Sequence, residues 1–162
     1  MESIDEIDDD GKKIFRRNMQ MIFQDPYESL NPRWSIKDII KEPLDIHNIG
    51  ALNDREEAVV EILRTVGLTP PENYLSRYPH EISGGQRQRV SIARTLIMKP
   101  KFVICDEPTS MLDVSIRISI MDLMLNLAKD LDVSYLYITH DLAVARYMCN
   151  RIAVMLSLIH IS

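Results

Sequence analysis

The stretch that decides this sequence is HEISGGQRQRVSIARTLIMKPKFVICDEPTSMLD, from His80 to Asp113. Two adjacent glycines open a basic run with helical spacing, and after Pro100 an apolar run ends in Asp106 and Glu107. A helix followed by a short, continuous apolar run is typical of a buried strand in a parallel sheet. The stretch therefore raises two questions: what a glycine pair does at the start of a helix, and why two carboxylates follow a strand.

The composition favours one ordinary globular domain. The chain has 162 residues, 46% of them hydrophobic and 27% charged, which is enough for a single core. The net charge of -5, from 19 basic and 24 acidic residues, gives no general attraction to nucleic acid or to anionic lipid. We therefore expect no nucleic-acid partner.

The acidic start of the chain and its two cysteines favour a reducing cellular compartment. The acidic start MESIDEIDDDGKK differs from a secretory signal, and no apolar run approaches the roughly 20 residues that span a bilayer. Cys105 and Cys149 form no C-x-x-C pair, so neither a disulfide framework nor a zinc site is predicted. We expect a reducing, cytoplasmic location, a chain that does not cross the membrane, and a solvated loop or frayed end for the acidic start.

The remaining patterns alternate between strand and helix. Residues 18–23 (NMQMIF) predict a strand, and two capping signals, Ser35 with Asp38 and Asn53 with Glu56, predict two helices, the second ending at Gly67. Residues 86–98 predict a third helix, with its arginines on a solvated face; these are Arg87, Arg89 and Arg94.

Further along the chain the alternation continues. The patterns predict a strand at 102–105, a helix at 116–131, a strand at 134–138, a helix at 142–148 and an apolar segment at 152–155. Such a βαβαβ order implies a parallel sheet buried on both faces. We therefore predict an α/β fold in which a helical lobe precedes an α/β core.

Polar residues at the predicted strand ends are candidate site residues. Ligands bind at the carboxyl ends of parallel strands, where Asp106 could hold a hydrated Mg²⁺ and Glu107 could polarise a water that attacks a phosphoryl group. Alternatively, the two carboxylates only cap the next turn. His140 follows the next strand and should reach the same edge, although a histidine there can also be structural.

The glycine pair is a candidate anion site. Ser83, Gly84, Gly85 and Gln86 would supply a hydroxyl, unhindered backbone N–H groups and the positive end of a helix dipole. A plain N-cap would explain Ser83. It would not explain two glycines, each of which costs conformational stability.

These residues together carry a family resemblance. ISGGQ (82–86) resembles the signature motif of ATP-binding-cassette (ABC) ATPases, FVICDE (102–107) their Walker B strand, and SMLD (110–113) their D-loop. Gln24 is similar to their Q-loop glutamine and His140 to their switch histidine. The sequences of residues 22–33 and 138–155 resemble one group within this family, the ATPase subunits of bacterial oligopeptide, dipeptide and nickel importers.

The resemblance, which runs from about Arg16 to Met155, implies a fold and a division of the chain. The fold would be part of a P-loop NTPase (RecA-like) parallel-sheet core with an inserted helical subdomain. We divide the chain into a core segment with the Q-loop (1–34), a helical subdomain with the signature helix (35–98), an α/β core with Walker B, D-loop and switch histidine (99–155), and a tail that we interpret as non-native (156–162).

The resemblance also implies roles for the site residues. Glu107, His140 and Gln24 would be catalytic, and Asp106 and Gln24 would hold Mg²⁺ with ATP as substrate. Two cassettes would pair head to tail, so that the signature motif (83–86) and Asp113 contact the ATP of the partner.

The implied partners lie at a membrane. They are a second ABC ATPase subunit, identical or different, transmembrane permease subunits and, indirectly, a substrate-binding protein. The cassette would sit peripherally on the cytoplasmic face of the bacterial inner membrane and energise peptide import. Residues 27–34 would border the groove for the permease, although ordinary packing explains Tyr27 and Trp34 equally well.

The sequence also departs from the family pattern. No G-x-x-x-x-G-K-[ST] loop is present, so we interpret the chain as an N-terminally truncated fragment that is inactive alone. Met111 stands where alanine is usual, with no evident chemical consequence. The final LSLIHIS (156–162) resembles a translated sequencing adapter, and we assign no function to His160.

Two other functions compete with this interpretation. A soluble ABC-type ATPase acting on nucleic acid or ribosomes would share the signature and Walker B motifs, but repair-type members carry a long coiled coil between Gln24 and Ser83, where only a compact lobe fits here. A non-enzymatic regulatory half-site is disfavoured by the presence of both Glu107 and His140.

Overall fold

In a computed structural model of the chain, residues 8–156 are described. The strands are β1 (Met19–Ile22), β2 (Phe102–Asp106) and β3 (Ser134–Ile138). The helices are α1 (Asp9–Asn18), α2 (Pro26–Ser29), α3 (Ile36–Ile46), α4 (Leu52–Thr65), α5 (Glu72–Leu75), α6 (Gly84–Leu96), α7 (Val114–Asp130) and α8 (Leu142–Met148), with a 3-10 turn at Pro79–Glu81.

The three strands form one parallel sheet with β2 in the middle. In the register, Ile22 is opposite Cys105, and Asp106 is opposite Ile138. The predicted α/β fold with a parallel sheet is therefore confirmed. All three strands end at one edge, and the loops that follow them meet there.

One face of this sheet is covered by the described residues, and the other is not. Val103 and Cys105 are fully buried, whereas Leu136 and Ile138 on the opposite face are 49% and 45% exposed. Burial also raises the pKa of the Cys105 thiol to about 12, which leaves it protonated and unreactive. The prediction of a sheet buried on both faces is wrong for residues 8–156, because helices pack against only one face.

The helical segment between β1 and β2 follows the predicted caps in part. Ser35 caps α3, and its hydroxyl accepts a hydrogen bond from the Asp38 N–H at 3.2 Å. The prediction that Asn53 caps α4 is wrong: the N-cap is Ala51, whose N–H donates to the Asp54 carboxylate at 3.1 Å. Gly67, at a φ of +75°, follows the end of α4 as predicted.

Helix α6 is buried around most of its circumference, so its arginines do not form a solvated face and that prediction is wrong. Arg89 donates to the carbonyl of Val66, and Arg94 pairs with Glu42 at 2.7 Å. Arg87 donates to two carbonyl groups of the preceding turn. Long arginine stems cross apolar surface and bring the charged ends to partners on other elements.

One hydrophobic core joins the sheet to the helical segment. It contains residues of β1, β2, α3, α4, α6 and α7; its fully buried members include Ile22, Ile36, Ile40, Val59, Leu63, Val90, Ile92, Val103, Ile120 and Met124. Helix α6 lies between the two parts of the chain and buries side chains toward both. The start of α6, which carries the glycine pair, is therefore held against the sheet layer.

Both ends of the described region differ from the predictions. The acidic start forms helix α1 from Asp9, capped by the Asp8 carboxylate, so the predicted loop is wrong for residues 9–13. Residues 152–155 form no strand and are exposed. Residues 1–7 and most of the tail, 157–162, lie outside the described residues. Within residues 8–156, no helix has the length and apolar character needed to span a bilayer.

Candidate functional site

Three polar side chains meet at the carboxyl edge of the sheet, each from the loop after a different strand. Gln24 follows β1, Glu107 comes directly after β2, and His140 follows β3. Because the three strands are parallel and adjacent, these loops converge on the central strand. The structure thus brings together the three residues assigned a catalytic role from the sequence.

Glu107 and His140 form the closest contact of this cluster. The His140 Nδ1 atom lies 2.6 Å from Glu107 Oε1. The Glu107 side chain is 21% exposed and that of His140 is 77% exposed. The hydrogen bond to Glu107, followed by the charge of its carboxylate, raises the pKa of the His140 imidazole above its ordinary value. The His140 imidazole is therefore more readily protonated beside this carboxylate than it would be alone.

Gln24 contacts the other oxygen of the same carboxylate. Its Nε2 donates to Glu107 Oε2 at 3.5 Å, a long hydrogen bond. Within residues 8–156, the Gln24 Oε1 atom forms no hydrogen bond. Glu107 is therefore held between two partners, and each partner belongs to a different neighbouring strand.

Asp106 is the last residue of β2 and is half-buried. Among residues 8–156, no side chain or backbone group forms a hydrogen bond with its carboxylate, and no group of three or more His, Cys, Asp or Glu residues is arranged to hold a metal. Mg²⁺ prefers one or two protein oxygens together with water and substrate phosphates. The Asp106 carboxylate and the Gln24 amide oxygen fit that donor set.

The backbone of Glu107 has an unusual conformation. Its φ is +42°, in the left-handed region that non-glycine residues seldom adopt. Its N–H donates to the Ile138 carbonyl at 3.0 Å, and its carbonyl accepts from both the N–H and the hydroxyl of Ser110, at 3.1 and 3.0 Å. These bonds fix the direction in which the carboxylate leaves the strand.

The start of α6 is a complete capping box. The Ser83 hydroxyl accepts from the Gln86 N–H at 3.3 Å, and Gln86 Oε1 accepts from the Ser83 N–H at 3.0 Å. The first-turn N–H groups of Gly84 and Gly85 have no carbonyl partner within the helix. They and the Ser83 O–H can still donate hydrogen bonds to an anion.

The two glycines are not equivalent. A Cβ atom on Gly85 would lie 2.7 Å from Cγ2 of Ile116 on α7, whereas one on Gly84 would lie 3.8 Å from the nearest side-chain atom, of Leu112. Gly85 therefore has a packing role inside this chain, which sequence reasoning did not consider. The interpretation of both glycines as an anion site stays a prediction, and Gly85 is in addition needed for helix packing.

Asp113 occupies the N-cap position of α7 and is exposed. Its side chain makes no capping hydrogen bond, and its carbonyl accepts from the Arg117 N–H at 2.8 Å. Within the described part of the chain, Asp113 and residues 83–86 share no hydrogen bond with the Glu107 cluster.

Two arginines near these groups were missed. The Arg87 guanidinium lies 4.7 Å from the centre of the Tyr27 ring, so packing accounts for one face of that aromatic although it is 54% exposed. Arg117 donates to carbonyl groups of the loop that begins at Ser110. Its position four residues after Asp113 was the available signal, because residues i and i+4 lie on one face of a helix.

A shallow cavity of about 400 Å³ lies on the helical segment. It is lined by Trp34, Asp38, Lys41, Glu42, Asp45 and Ile46. Trp34 is 39% exposed there. Two of its three carboxylates are paired with arginines, Glu42 with Arg94 and Asp45 with Arg55, and the Trp34 ring adds apolar surface beside them.

Comparisons with known proteins agree with this geometry. The sequence model described as "ABC transporter" matches residues 2–110. The chain is 49% identical over 144 residues to the oligopeptide transport ATP-binding protein AppF of Bacillus subtilis, covering 89% of this chain and 43% of that protein. It is 53% identical over 142 residues to OppF of the same organism, covering 87% and 46%.

A dipeptide transport ATP-binding protein, DppF of Lactococcus lactis subsp. cremoris, gives a similar match. It is 49% identical over 142 residues, covering 87% of this chain and 45% of that protein. The chain thus spans less than half the length of the curated relatives it matches.

Solved structures share the fold. One is cbiO1 from Clostridium perfringens, part of the ABC transporter complex cbiONQ, with a TM-score of 0.75 and 29% identity over 88% of this chain and 55% of that one. Another is a dimeric ATP-binding cassette in a post-hydrolysis state bound to ADP and Pi, with a TM-score of 0.69 and 32% identity over 88% of this chain and 61% of that one.

Proposed function

Because the chain belongs to the ABC transporter family, we propose that it is part of the ATP-hydrolysing subunit of a bacterial importer for peptides. The observation that carries the proposal is the convergence of Gln24, Glu107 and His140 at one edge of the sheet. The similarity to oligopeptide and dipeptide transport proteins supports the substrate class.

In the proposed reaction, Glu107 is the base that orients and polarises the attacking water. Its carboxylate is positioned from both sides, and a positioned base typically contributes 10²- to 10⁴-fold in rate. His140 accepts or donates the proton at Nδ1 and binds the terminal phosphate with its other nitrogen. Gln24 contacts the water or the metal and is the residue through which the nucleotide state reaches the helical segment.

Mg²⁺ would be held by Asp106 and Gln24 together with the phosphates of ATP. When bound, it neutralises charge that develops on the transferred phosphoryl group. The chain supplies the oxygen ligands from the strand end and from the loop after β1. The free Asp106 carboxylate supports this assignment.

The signature group would act on the ATP of a second cassette. Ser83, Gly84, Gly85 and Gln86 present donors and a helix N-terminus, which favours an anion such as a γ-phosphate. Asp113 is exposed beside them and would contact the same partner site. The first-turn N–H groups of α6, which lack carbonyl partners within the helix, support a site completed by a second cassette, identical or different.

Transmembrane permease subunits are the other proposed partners, with a substrate-binding protein acting through them. The cavity beside Trp34 would receive a cytoplasmic segment of the permease and place the cassette at the cytoplasmic face of the inner membrane. Residues 1–34, 35–98 and 99–155 would then be core with Q-loop, helical subdomain and catalytic core. The single hydrophobic core joins these parts by shared packing.

The test of this function is the substitution Glu107→Gln. The 162 residues contain no G-x-x-x-x-G-K-[ST] loop, so the assay requires a cassette that joins this segment to such a loop. We expect ATP binding to remain and the steady-state hydrolysis rate to fall about 10²-fold or more, with the ATP-bound dimer accumulating in size-exclusion chromatography.

Glu57→Gln is the matched control, because Glu57 is an exposed residue of α4 far along the chain from the strand ends. It should leave the hydrolysis rate unchanged. Near-normal turnover in the Glu107→Gln cassette would remove Glu107 from the role of base.

A further inference from the structure

Arg117, on the first turns of α7, reaches back over the loop that follows Glu107. Its Nη2 donates to the carbonyl groups of Ser110 and Leu112, at 3.3 and 3.4 Å. Its Nη1 lies 3.9 Å from the Asp141 carboxylate. One guanidinium therefore contacts two separate loops, one after β2 and one after β3.

The first contact bears on the conformation of Glu107. A left-handed φ is unfavourable for a residue with a side chain and persists only where the surroundings enforce it. Ser110 enforces it, because its N–H and hydroxyl both donate to the Glu107 carbonyl. Arg117 holds Ser110 by its own carbonyl, so the chain of contacts runs from Arg117 through Ser110 to Glu107.

The second contact bears on His140. Asp141 directly follows it and caps α8, accepting from the N–H groups of Ala143 and Val144 at 2.8 and 3.4 Å. The Arg117 guanidinium lies next to this carboxylate. Arg117 also lines the cavity of about 70 Å³ that Glu107 and His140 line. The direction in which His140 leaves the loop is thus tied to the same guanidinium.

The chemistry of this position requires an arginine. Two carbonyls and a carboxylate in different directions match a planar fork, whereas a lysine ammonium acts as a single point charge. The Nε atom of Arg117 is buried and forms no hydrogen bond within the described residues. An unpaired buried donor is costly. The contacts that position the guanidinium are therefore those of its Nη atoms to the two loops, and not a hydrogen bond of Nε.

We propose that Arg117 is a positioning residue for ATP hydrolysis, which sets the mutual orientation of Glu107 and His140 by joining the loops that carry them. The inference rests on the proposed function. In this role Arg117 acts through these two side chains, by its contacts to the loops that carry them.

The first experiment measures steady-state kinetics in the cassette that joins this segment to a phosphate-binding loop. Arg117→Gln should lower kcat by on the order of 10- to 100-fold, because small misplacement of catalytic groups has effects of that size, and should change the KM for ATP less than about 2-fold. Arg117→Lys should recover only part of kcat. Lys129→Gln, which removes a charge from an exposed position of the same helix, should retain the full rate.

A double-mutant cycle separates positioning from mere folding. In a His140→Ala background, Arg117→Gln should cost less than about 3-fold, because one of the two groups that it orients is already gone. Equal fold losses in both backgrounds would overturn the inference and assign Arg117 to stability alone. An unchanged kcat in Arg117→Gln, with an active wild-type cassette, would overturn the inference and leave the proposed function intact.

A second readout needs no turnover. The charged groups that face the His140 imidazole are Glu107, Asp141 and Arg117, and the charge of Arg117 opposes the rise in its pKa. Arg117→Gln should therefore raise the titration midpoint of the His140 imidazole signals in NMR, and Arg117→Lys should not. Identical midpoints in wild type and Arg117→Gln would overturn the placement of this charge beside His140.

Discussion

At the scale of single residues, the site depends on one carboxylate held by side chains from the loops after the two neighbouring strands. Glu107 has a strained backbone, a close contact to His140 and a long one to Gln24. The close contact has an electrostatic consequence, since the pairing raises the pKa of His140. The pairing therefore stabilises the folded state with the following pH dependence. Its contribution is fully present below the ordinary imidazole pKa, about 6.5, and is lost as the pH rises through the raised pKa of His140.

This pairing predicts a measurable titration. In NMR of the cassette, the midpoint of the His140 imidazole signals should lie above about 6.5, and Glu107→Gln should move it down toward that value because the partner charge is removed. The signals of His80, which stacks on Tyr78, serve as the internal control and should not change. A midpoint that is the same in both proteins would show that the contact is absent in solution.

At the scale of elements, α6 and α7 are in contact through a glycine. Gly85 is buried, and Ile116 of α7 occupies the space where its side chain would be. The contact brings the start of α6 close to the loop that leads into α7, which carries Ser110 and Asp113. The two glycines of the pair thus have different roles. Gly85 lets α6 and α7 approach closely, while Gly84 leaves the surface at the start of α6 without a side chain.

The difference between the glycines can be measured by unfolding. Gly85→Ala should lower the free energy of unfolding by about 1–2 kcal/mol, the cost of overpacking less the gain in helix propensity. Gly84→Ala should stay within about 0.5 kcal/mol of the wild type, since its Cβ has room. Urea titrations monitored by circular dichroism would compare the two.

The same contact should show coupling. Ile116→Ala removes the clashing methyl group, so the double variant with Gly85→Ala should lose less stability than the sum of the single losses. If Gly85→Ala proves as stable as Gly84→Ala, the close approach of α6 to α7 is wrong.

The sequence predicted those features that are determined by residues close together in the chain. The strand that ends in Asp106 and the strand that precedes His140 were predicted within one residue, because each is an apolar run ended by polar residues. Their shared edge followed from parallel topology. The cap of α4 was misassigned, since both Asn53 and the backbone of Ala51 offer capping chemistry three residues before an acidic side chain.

The features that could not be predicted depend on distance in space. A helical pattern shows that Arg117 is polar and not that its long stem brings the guanidinium to two loops. Gln24 carries no local signal of its own and was assigned only from the family resemblance. The alternation of strands and helices gives the order of the sheet, but it does not specify which face each helix covers, so the exposure of Leu136 was not foreseen.

At the scale of the whole molecule, the described residues form one layer of helices against one face of a parallel sheet. On the other face, Leu136 and Ile138 are about half exposed. Parallel strands in proteins are normally covered on both faces, and contiguous exposed apolar surface favours association. The open face should therefore dominate the solution behaviour of the 162-residue chain.

This expectation is tested with a pair of threonines. Leu136→Thr combined with Ile138→Thr should lower the self-association of the 162-residue chain in sedimentation velocity, because threonine keeps the β-branched preference for strands and removes apolar surface. Leu52→Thr, at an isolated position that is 69% exposed, should have no such effect. Equal association of all three proteins would show that the face is not the cause.

The two contacts of Glu107 also differ in how far along the chain they reach. His140 lies 33 residues from Glu107, and Gln24 lies 83 residues away. The entropy of loop closure grows with the logarithm of that separation, so bringing Gln24 to the site costs about 0.8 kcal/mol more than bringing His140. Because the Gln24 contact is also the longer one, we expect it to open before the Glu107–His140 contact when the structure loosens. The two contacts of one carboxylate would then differ in how long they persist.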